Sequence, residues 1–242
     1  VGALGAKMLA ETWPSDRRLP TATVIGEPTS MQVVRMHKGF LKLRLTILGE
    51  HGHTGNPTVG HNAIAPMGRA IVALESVRSE LLELRTSTSA AFGALGAPVL
   101  SIVRVEGGDA WNMTPDRCEL QIGLRLLPDQ DRDEWIEHLR ARLGEVLDGE
   151  RWTLELFNET PSLLTGADTP LHRTACRLLD QQEEYGVSYG TDGAWLQRLG
   201  LDCIIVGPGD IGVAHQPDEF MPCDEYRQGR RFMESLIEEF CR

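Results

Sequence analysis

Apolar residues fall into six successive patterned segments between residues 41 and 156, and the order of the segments admits few folds. Leu41, Leu43, Leu45 and Ile47 alternate with Lys42, Arg44 and Thr46, the period of a strand with one buried face. Ile64, Met67, Ile71, Leu74, Val77, Leu81 and Leu84 then recur at steps of three and four, the spacing of an amphipathic helix. Val99 to Val105 reads as a second strand. Cys118, Leu120, Ile122, Leu124 and Leu126 alternate with Glu119, Gln121, Gly123 and Arg125 and give a third. A second helix is expected to start at Pro128-Asp129 and to carry Trp135, Leu139, Leu143 and Val146; Trp152, Leu154 and Leu156 close with a fourth strand. The order β-α-β-β-α-β predicts a ferredoxin-like sandwich over residues 36–158. Two helices on one face leave the other face open and the outer strand edges unpaired, so the module is expected to pair with something.

The flanking segments have a different texture. Residues 1–11 read as a small-residue helix start, and Thr21 to Ile25 as a short buried strand broken by Gly26-Glu27-Pro28-Thr29. Downstream, a helix is expected over Leu171 to Leu179, a glycine-broken polar stretch over Gly186 to Thr191, and a buried strand over Leu201 to Val206 ending in Gly207-Pro208-Gly209. The last helix would place Tyr226, Met233, Leu236, Ile237 and Phe240 on one stripe. The predicted architecture is therefore α/β: a domain contributed by residues 1–35 and 159–242, interrupted by the inserted module.

Composition narrows the function classes. The 242 residues carry 24 Lys plus Arg against 35 Asp plus Glu, a net charge of −11, and this balance argues against nucleic acid or an anionic membrane surface as partner. No apolar run approaches the ~20 residues that span a bilayer. Five cysteines with no CxxC pair suit reduced thiols in a cytoplasm better than a disulfide framework. The opening Val1-Gly-Ala-Leu-Gly-Ala has no initiator Met and reads as the middle of a domain.

Nucleotide-loop, zincin and serine-hydrolase motifs are all missing from the sequence. Glu27, after a strand and before a proline, is either a loop carboxylate or a metal ligand. His215, in Val213-Ala-His-Gln-Pro-Asp-Glu-Phe220, is either a loop histidine or a ligand; a carboxylate with an imidazole suits zinc, yet two ligands do not make a site. His51-Gly-His53 could bind metal or serve as a hydrogen-bond donor. Asn112 and Arg125 could orient a carboxylate, or be a turn amide and a solvated strand arginine.

The pieces stand in one order: Gly26-Glu-Pro-Thr29, Val34-Arg-Met-His-Lys-Gly39, Gly52-His-Thr-Gly-Asn-Pro57 with Gly60-His-Asn-Ala-Ile64, Gly107-Gly-Asp-Ala-Trp-Asn112, Arg125-Leu-Leu-Pro128, Gly207-Pro-Gly-Asp210 and Ala214-His-Gln-Pro-Asp-Glu-Phe220. Over essentially the whole chain this resembles the zinc-dependent amidohydrolase family of acetylornithine deacetylase, succinyl-diaminopimelate desuccinylase and aminoacylase, most of all its acetylornithine deacetylase branch. The resemblance implies two zinc ions, or cobalt, at the carboxyl ends of the sheet. Glu27 matches the carboxylate on one metal and His215 the imidazole on the other. The inserted module matches a lid that also forms a homodimer interface. His53 matches the lid histidine that stabilises the oxyanion in the neighbouring subunit's site. Asn112 and Arg125 match lid positions near the substrate's carboxylate, and Gly190-Thr191-Asp192 matches a loop lining the substrate pocket. The implied substrate is a small N-acyl amino acid of the N-acetylornithine type, cleaved in arginine biosynthesis, with Asp192 facing an amine. The family's remaining ligands and its general-base glutamate precede the position of Val1, so this chain is expected to hold an incomplete site and to be inactive alone. Desuccinylase or dipeptidase activity, or a catalytically inactive dimerising fragment, are the alternatives.

Overall fold

The computed structural model describes residues 3–20, 22–56 and 58–241. Val1, Gly2 and Thr21, on which parts of the first expected helix and strand fall, lie outside the described residues, as do Pro57 and Arg242. In chain order the first elements are α1 (Leu4–Thr12), β1 (Thr23–Ile25), β2 (Val34–His37), β3 (Gly39–Leu48), α2 (Ile64–Glu83), a 3₁₀ helix (Ser89–Leu95), β4 (Val99–Gly107) and β5 (Arg117–Leu126). Next in the chain come α3 (Arg132–Val146), β6 (Arg151–Thr160), β7 (Leu163–Leu164), α4 (Pro170–Leu178), β8 (Tyr185–Val187), α5 (Gly193–Gln197), β9 (Cys203–Ile205), a 3₁₀ turn (Ile211–Val213) and α6 (Cys223–Phe240). The chain divides into two compact units, Val1–Gly39 with Thr88–Gly96 and Thr160–Arg242, and Phe40–Ser87 with Ala97–Glu159.

The second unit has the α/β order its periodicity predicts. Its four strands lie in the order β4-β5-β3-β6, the ferredoxin-like arrangement. Leu41, Leu43, Leu45 and Ile47 on β3 and Leu120, Ile122 and Leu124 on β5 share a core with Met67, Leu74, Val77 and Leu81 of α2 and Leu139 and Leu143 of α3. Each such side chain contributes about 1.5–3 kcal/mol by leaving water. Helix α3 begins at Arg132 instead of Pro128, because the Asp131 carboxylate accepts from the backbone N–H of Asp133 and Glu134 and caps the helix there. Pro128 to Gln130 form a turn, closed by Gln130 N–H donating to Leu127 O at 3.1 Å.

The first unit is built on a five-stranded sheet, β1-β9-β2-β7, with β8 also on β2. Strand β1 pairs parallel with β9, Thr23 opposite Cys203 through Ile25 opposite Ile205. It is half-buried, not buried as its apolar run predicts, because it lies at the end of the strand order. Helix α4 starts on the Thr169 hydroxyl, which accepts from His172 N–H, with Pro170 in the first turn. In α6 the buried residues are Gly229, Phe232 and Leu236. Leu236 and Phe240 of the expected stripe pack into the core beside Phe232, while Tyr226, Met233 and Ile237 face outward.

A second departure is β8, which forms where a polar loop is expected and pairs parallel with β2 from Tyr185 to Val187. Glycine at 186 is what permits it: a Cβ there would lie 2.7 Å from the Phe92 ring of the 3₁₀ helix. The same 3₁₀ helix is held by the fully buried Lys38, whose Nζ donates to Leu95 O and stands 5.6 Å from the Phe92 ring centroid. All five cysteines are free, and among the described residues no helix is long and apolar enough to cross a membrane. Gly186→Ala is expected to destabilise the protein by about 1–3 kcal/mol by overpacking against Phe92. Urea unfolding measures it, and Phe92→Leu in the same chain should recover part of the loss; a neutral Gly186→Ala refutes the packing assigned here.

Candidate functional site

Parallel pairing of β1 with β9 sends both chains out of the sheet at the same edge. Val206 N–H donates to Ile25 O at 3.0 Å, and Gly207 lies so close that a Cβ would stand 2.6 Å from Glu27 O. Thr29 then bridges to Asp210. Glu27 and the 207–215 loop thus leave adjacent strand ends, the position where α/β sheets place ligands. Glu27 is half-buried. The Tyr189 hydroxyl donates to Pro28 O at 3.2 Å, and its phenol pKa is pushed up to about 12, by burial first and then by the negative charges of Glu27 and Asp210. Tyr189 and Asp210 therefore join Glu27, although sequence reasoning assigns neither a role. Asp210 carries a signal, an acid directly after Gly-Pro-Gly at a strand end; Tyr189 carries none.

His215 is exposed and lies just past the 3₁₀ turn. Its backbone is left-handed, with φ of 62°, and its N–H donates to the Glu219 carboxylate at 3.1 Å. Carboxylate and imidazole are zinc-type donors, but among the described residues no three of His, Cys, Asp and Glu come together as a set able to hold a metal. Glu27 and His215 fit such an ion as single donors, not as a site.

The 190–192 segment is fixed from beneath by a residue that sequence reasoning misses. His37 is fully buried on β2, and its Nε2 accepts the backbone N–H of Thr191 at 3.1 Å. Its Nδ1 is 2.9 Å from Lys38 O and must carry the proton, since a carbonyl only accepts. Burial pulls the imidazole pKa down from 6.5 to about 4, so the ring is neutral at ordinary pH. Thr191 is buried, its hydroxyl taking Gly193 N–H at 3.2 Å, while Gly190 and Asp192 are exposed. Histidine in an apolar-flanked Met-His-Lys-Gly run is the available signal.

In the other unit, two loops meet. His53 bridges to Met113, and Thr54 N–H donates to Asn112 O at 3.2 Å, so His53 and Asn112 come together. Gly55 N–H donates to His53 Nδ1 at 3.1 Å; in the neutral ring the proton is then on Nε2, which stands exposed as a donor. Arg125 is not part of this group. The β4–β5 ladder runs from Val99 opposite Arg125 to Gly107 opposite Cys118, and the 110–113 loop lies past the far end. Arg125 is therefore roughly 23 Å along the strand from that end, at ~3.3 Å per residue. It is half-buried, with its guanidinium 4.2 Å from the Phe40 ring centroid, and burial lowers its pKa.

Residues 35–150 match the family model of a peptidase dimerisation domain. The chain is 34% identical to the acetylornithine deacetylase of Pasteurella multocida over 92% of its own length and 58% of that protein. It is 33% identical to the acetylornithine deacetylase of Klebsiella pneumoniae over 98% of its length and 61% of that protein. It thus spans about three fifths of the length of these curated relatives. Among solved structures it resembles the aminopeptidase PepT of Bacillus cereus, with TM-score 0.75, 16% identity, and 100% and 63% of the two chains covered. A tripeptidase from Staphylococcus aureus gives 0.73, 17%, 99% and 62%. At those identities the structural likeness speaks for the fold.

One consequence of the His37 geometry is measurable without any substrate. Between pH 6.5 and about 4 the unfolded chain binds a proton on His37 that the folded chain refuses. Stability contributed by the neutral ring is therefore complete above 6.5 and is lost as pH falls through that window, by up to about 3 kcal/mol. Urea midpoints of the parent and of His37→Gln, taken at neutral pH and at about pH 4.5, should show a smaller pH loss in the variant. Identical losses would sink the assignment.

Proposed function

The chain belongs to the M20 family of peptidases and amidohydrolases that includes acetylornithine deacetylase, and on that premise we propose that the protein hydrolyses the amide bond of an N-acyl amino acid of the N-acetylornithine type. The observation that carries the reading is the His53 ring. With Nδ1 occupied by Gly55 N–H, it presents an unclaimed Nε2–H, the kind of donor that stabilises a tetrahedral oxyanion. The adjoining Asn112 would add a side-chain amide for the substrate's polar end. Asp192, an exposed carboxylate beside the anchored Thr191, would pair with the side-chain amine of the substrate. Arg125 would take a carboxylate through its guanidinium fork, from its separate place on β5.

Glu27 and His215 are this chain's proposed metal-holding residues. A bound zinc or cobalt ion supplies Lewis-acid chemistry, activating water and polarising the scissile carbonyl. Tyr189 keeps its proton at all ordinary pH and donates it to Pro28 O, so beside Glu27 it would hold the loop in place and would not act as a base. The dimerisation-domain match supports a homodimer through the β3–β6 unit. The free thiols support a reducing, cytoplasmic setting.

The test is made in the full-length protein. Release of acetate from N-acetylornithine should fall by ~10² to 10³ in kcat in His53→Ala, with KM changed only a few-fold. Turnover within a few-fold of the parent would falsify the oxyanion role. Asp192→Asn should raise KM for N-acetylornithine and leave a purely aliphatic N-acetyl amino acid unaffected; an equal effect on both substrates removes the amine contact. A preference for N-succinyl-diaminopimelate over N-acetylornithine would move the proposal to the desuccinylases.

A further inference from the structure

Strand β3 alternates from Gly39 to Leu45, so Phe40, Lys42 and Arg44 leave the sheet on the face away from α2 and α3. Gln121, Gly123 and Arg125 leave β5 on the same side. Phe40, Lys42, Arg44, Gln121 and Gly123, with Val103 and Phe157 from the outer strands, line a groove of about 370 Å³ on the open face of the sheet. Glycine at 123 shapes its floor: a Cβ there would stand 2.9 Å from Phe40 Cε2, so only glycine lets that ring lie against the neighbouring strand.

The groove is cationic inside a chain of net charge −11. Lys42 Nζ lies 5.5 Å from the Phe40 centroid, and the Arg44 guanidinium 4.7 Å from that of Phe157. Among the described residues neither cation has a carboxylate within ion-pairing distance. Glu119 feels Arg44 but is held by Arg117 and by the Thr46 hydroxyl. Arg44 Nε is buried and has no acceptor at all. A donor in that state costs free energy, and native proteins rarely leave one without a reason. The Phe157 ring beside the guanidinium limits where Arg44 can swing, and a guanidinium can take a carboxylate in a fork.

The geometry points to a binding site for a small organic carboxylate on this face. The carboxylate accepts hydrogen bonds from the Arg44 Nη–H groups, with Lys42 as second cation, and its apolar or aromatic body lies between Phe40, Phe157 and Val103. Lys42, Arg44 and Phe157 have no part in the hydrolase reading; Phe40 also stands against the Arg125 guanidinium, which that reading uses.

Calorimetric titration of the protein with benzoate, with benzamide and with inorganic phosphate tests it. Benzoate is expected to bind once per chain in the millimolar range. Benzamide, isosteric but neutral, and phosphate, charged but without an apolar body, should each bind at least tenfold more weakly. Arg44→Gln should weaken benzoate at least tenfold, while Arg78→Gln, on α2 and paired with Glu75, should leave it unchanged. Phe157→Ala removes one wall without touching charge, and should weaken benzoate and leave phosphate alone; it keeps the test valid if Arg44→Gln fails to fold. Benzoate binding unaltered in both variants overturns the site, and so does benzamide or phosphate binding as well as benzoate. If benzoate does not bind and Arg44→Gln instead changes the oligomeric state on gel filtration, the face is a subunit contact and the ligand site is refuted.

Discussion

Strand β3 can bury only one of its two faces, and much of the molecule's organisation stems from that limit. Leucine or isoleucine at 41, 43, 45 and 47 commits one face to α2 and α3. Period-two geometry then commits Phe40, Lys42 and Arg44 to the other face, whatever their chemistry. A one-residue slip would drive two cations into the helix-packed core and expose four large aliphatics, so the register is set strongly. The helix-free face that results is why a cationic, aromatic-walled groove can exist in an acidic protein. The fold does not select the groove's residues; it only makes their common exposure unavoidable.

A different constraint organises the other unit. Two three-residue strands, β1 and β9, run parallel and end together. The proposed metal-holding residues there lie just past those ends: Glu27 after one, His215 after the other, with Asp210 beside them. Gly207 and the Thr29–Asp210 bridge keep the departing chains in contact, so charges far apart in sequence come to share the neighbourhood of Tyr189. Short strands bury little area, which is why the loops are fixed by specific hydrogen bonds, Thr29 to Gly207 and Tyr189 to Pro28, more than by packing.

Elements whose period is long and uninterrupted are legible in the sequence. Strands β3 and β5 and helix α2 are readable because each repeats its pattern at least four times. Strand β8 is not, since three residues centred on a glycine have no period; it exists through its pairing with β2 and the seat it gives Phe92, both non-local. The facing of α6 differs from its apolar stripe for a related reason. Its apolar residues fall on more than one side, and only Phe232, Leu236 and Phe240 among them meet the core of this unit, a choice made by non-local packing. For the candidate site, motif order singles out Glu27, His53 and His215 as proposals. Proximity is not legible: His53 and Asn112 turn out to be neighbours, while Arg125 stands along the strand from both.

Histidines 37 and 53 show what further information geometry adds. Both sit in short motifs, and sequence offers no way to rank them. A backbone N–H can only donate, so whichever ring nitrogen receives one must be the acceptor and the other must hold the proton. In His37 the acceptor is Nε2, and the remaining Nδ1–H is spent on Lys38 O. Both nitrogens are used, the ring is buried, and the residue can only hold its surroundings in place. In His53 the acceptor is Nδ1, and Nε2–H is left over at the surface. The same side chain, read through one hydrogen bond each, becomes an anchor in one place and an available donor in the other. Reversing either tautomer would set a donor against a donor at Thr191 or at Gly55, so the two roles are not interchangeable.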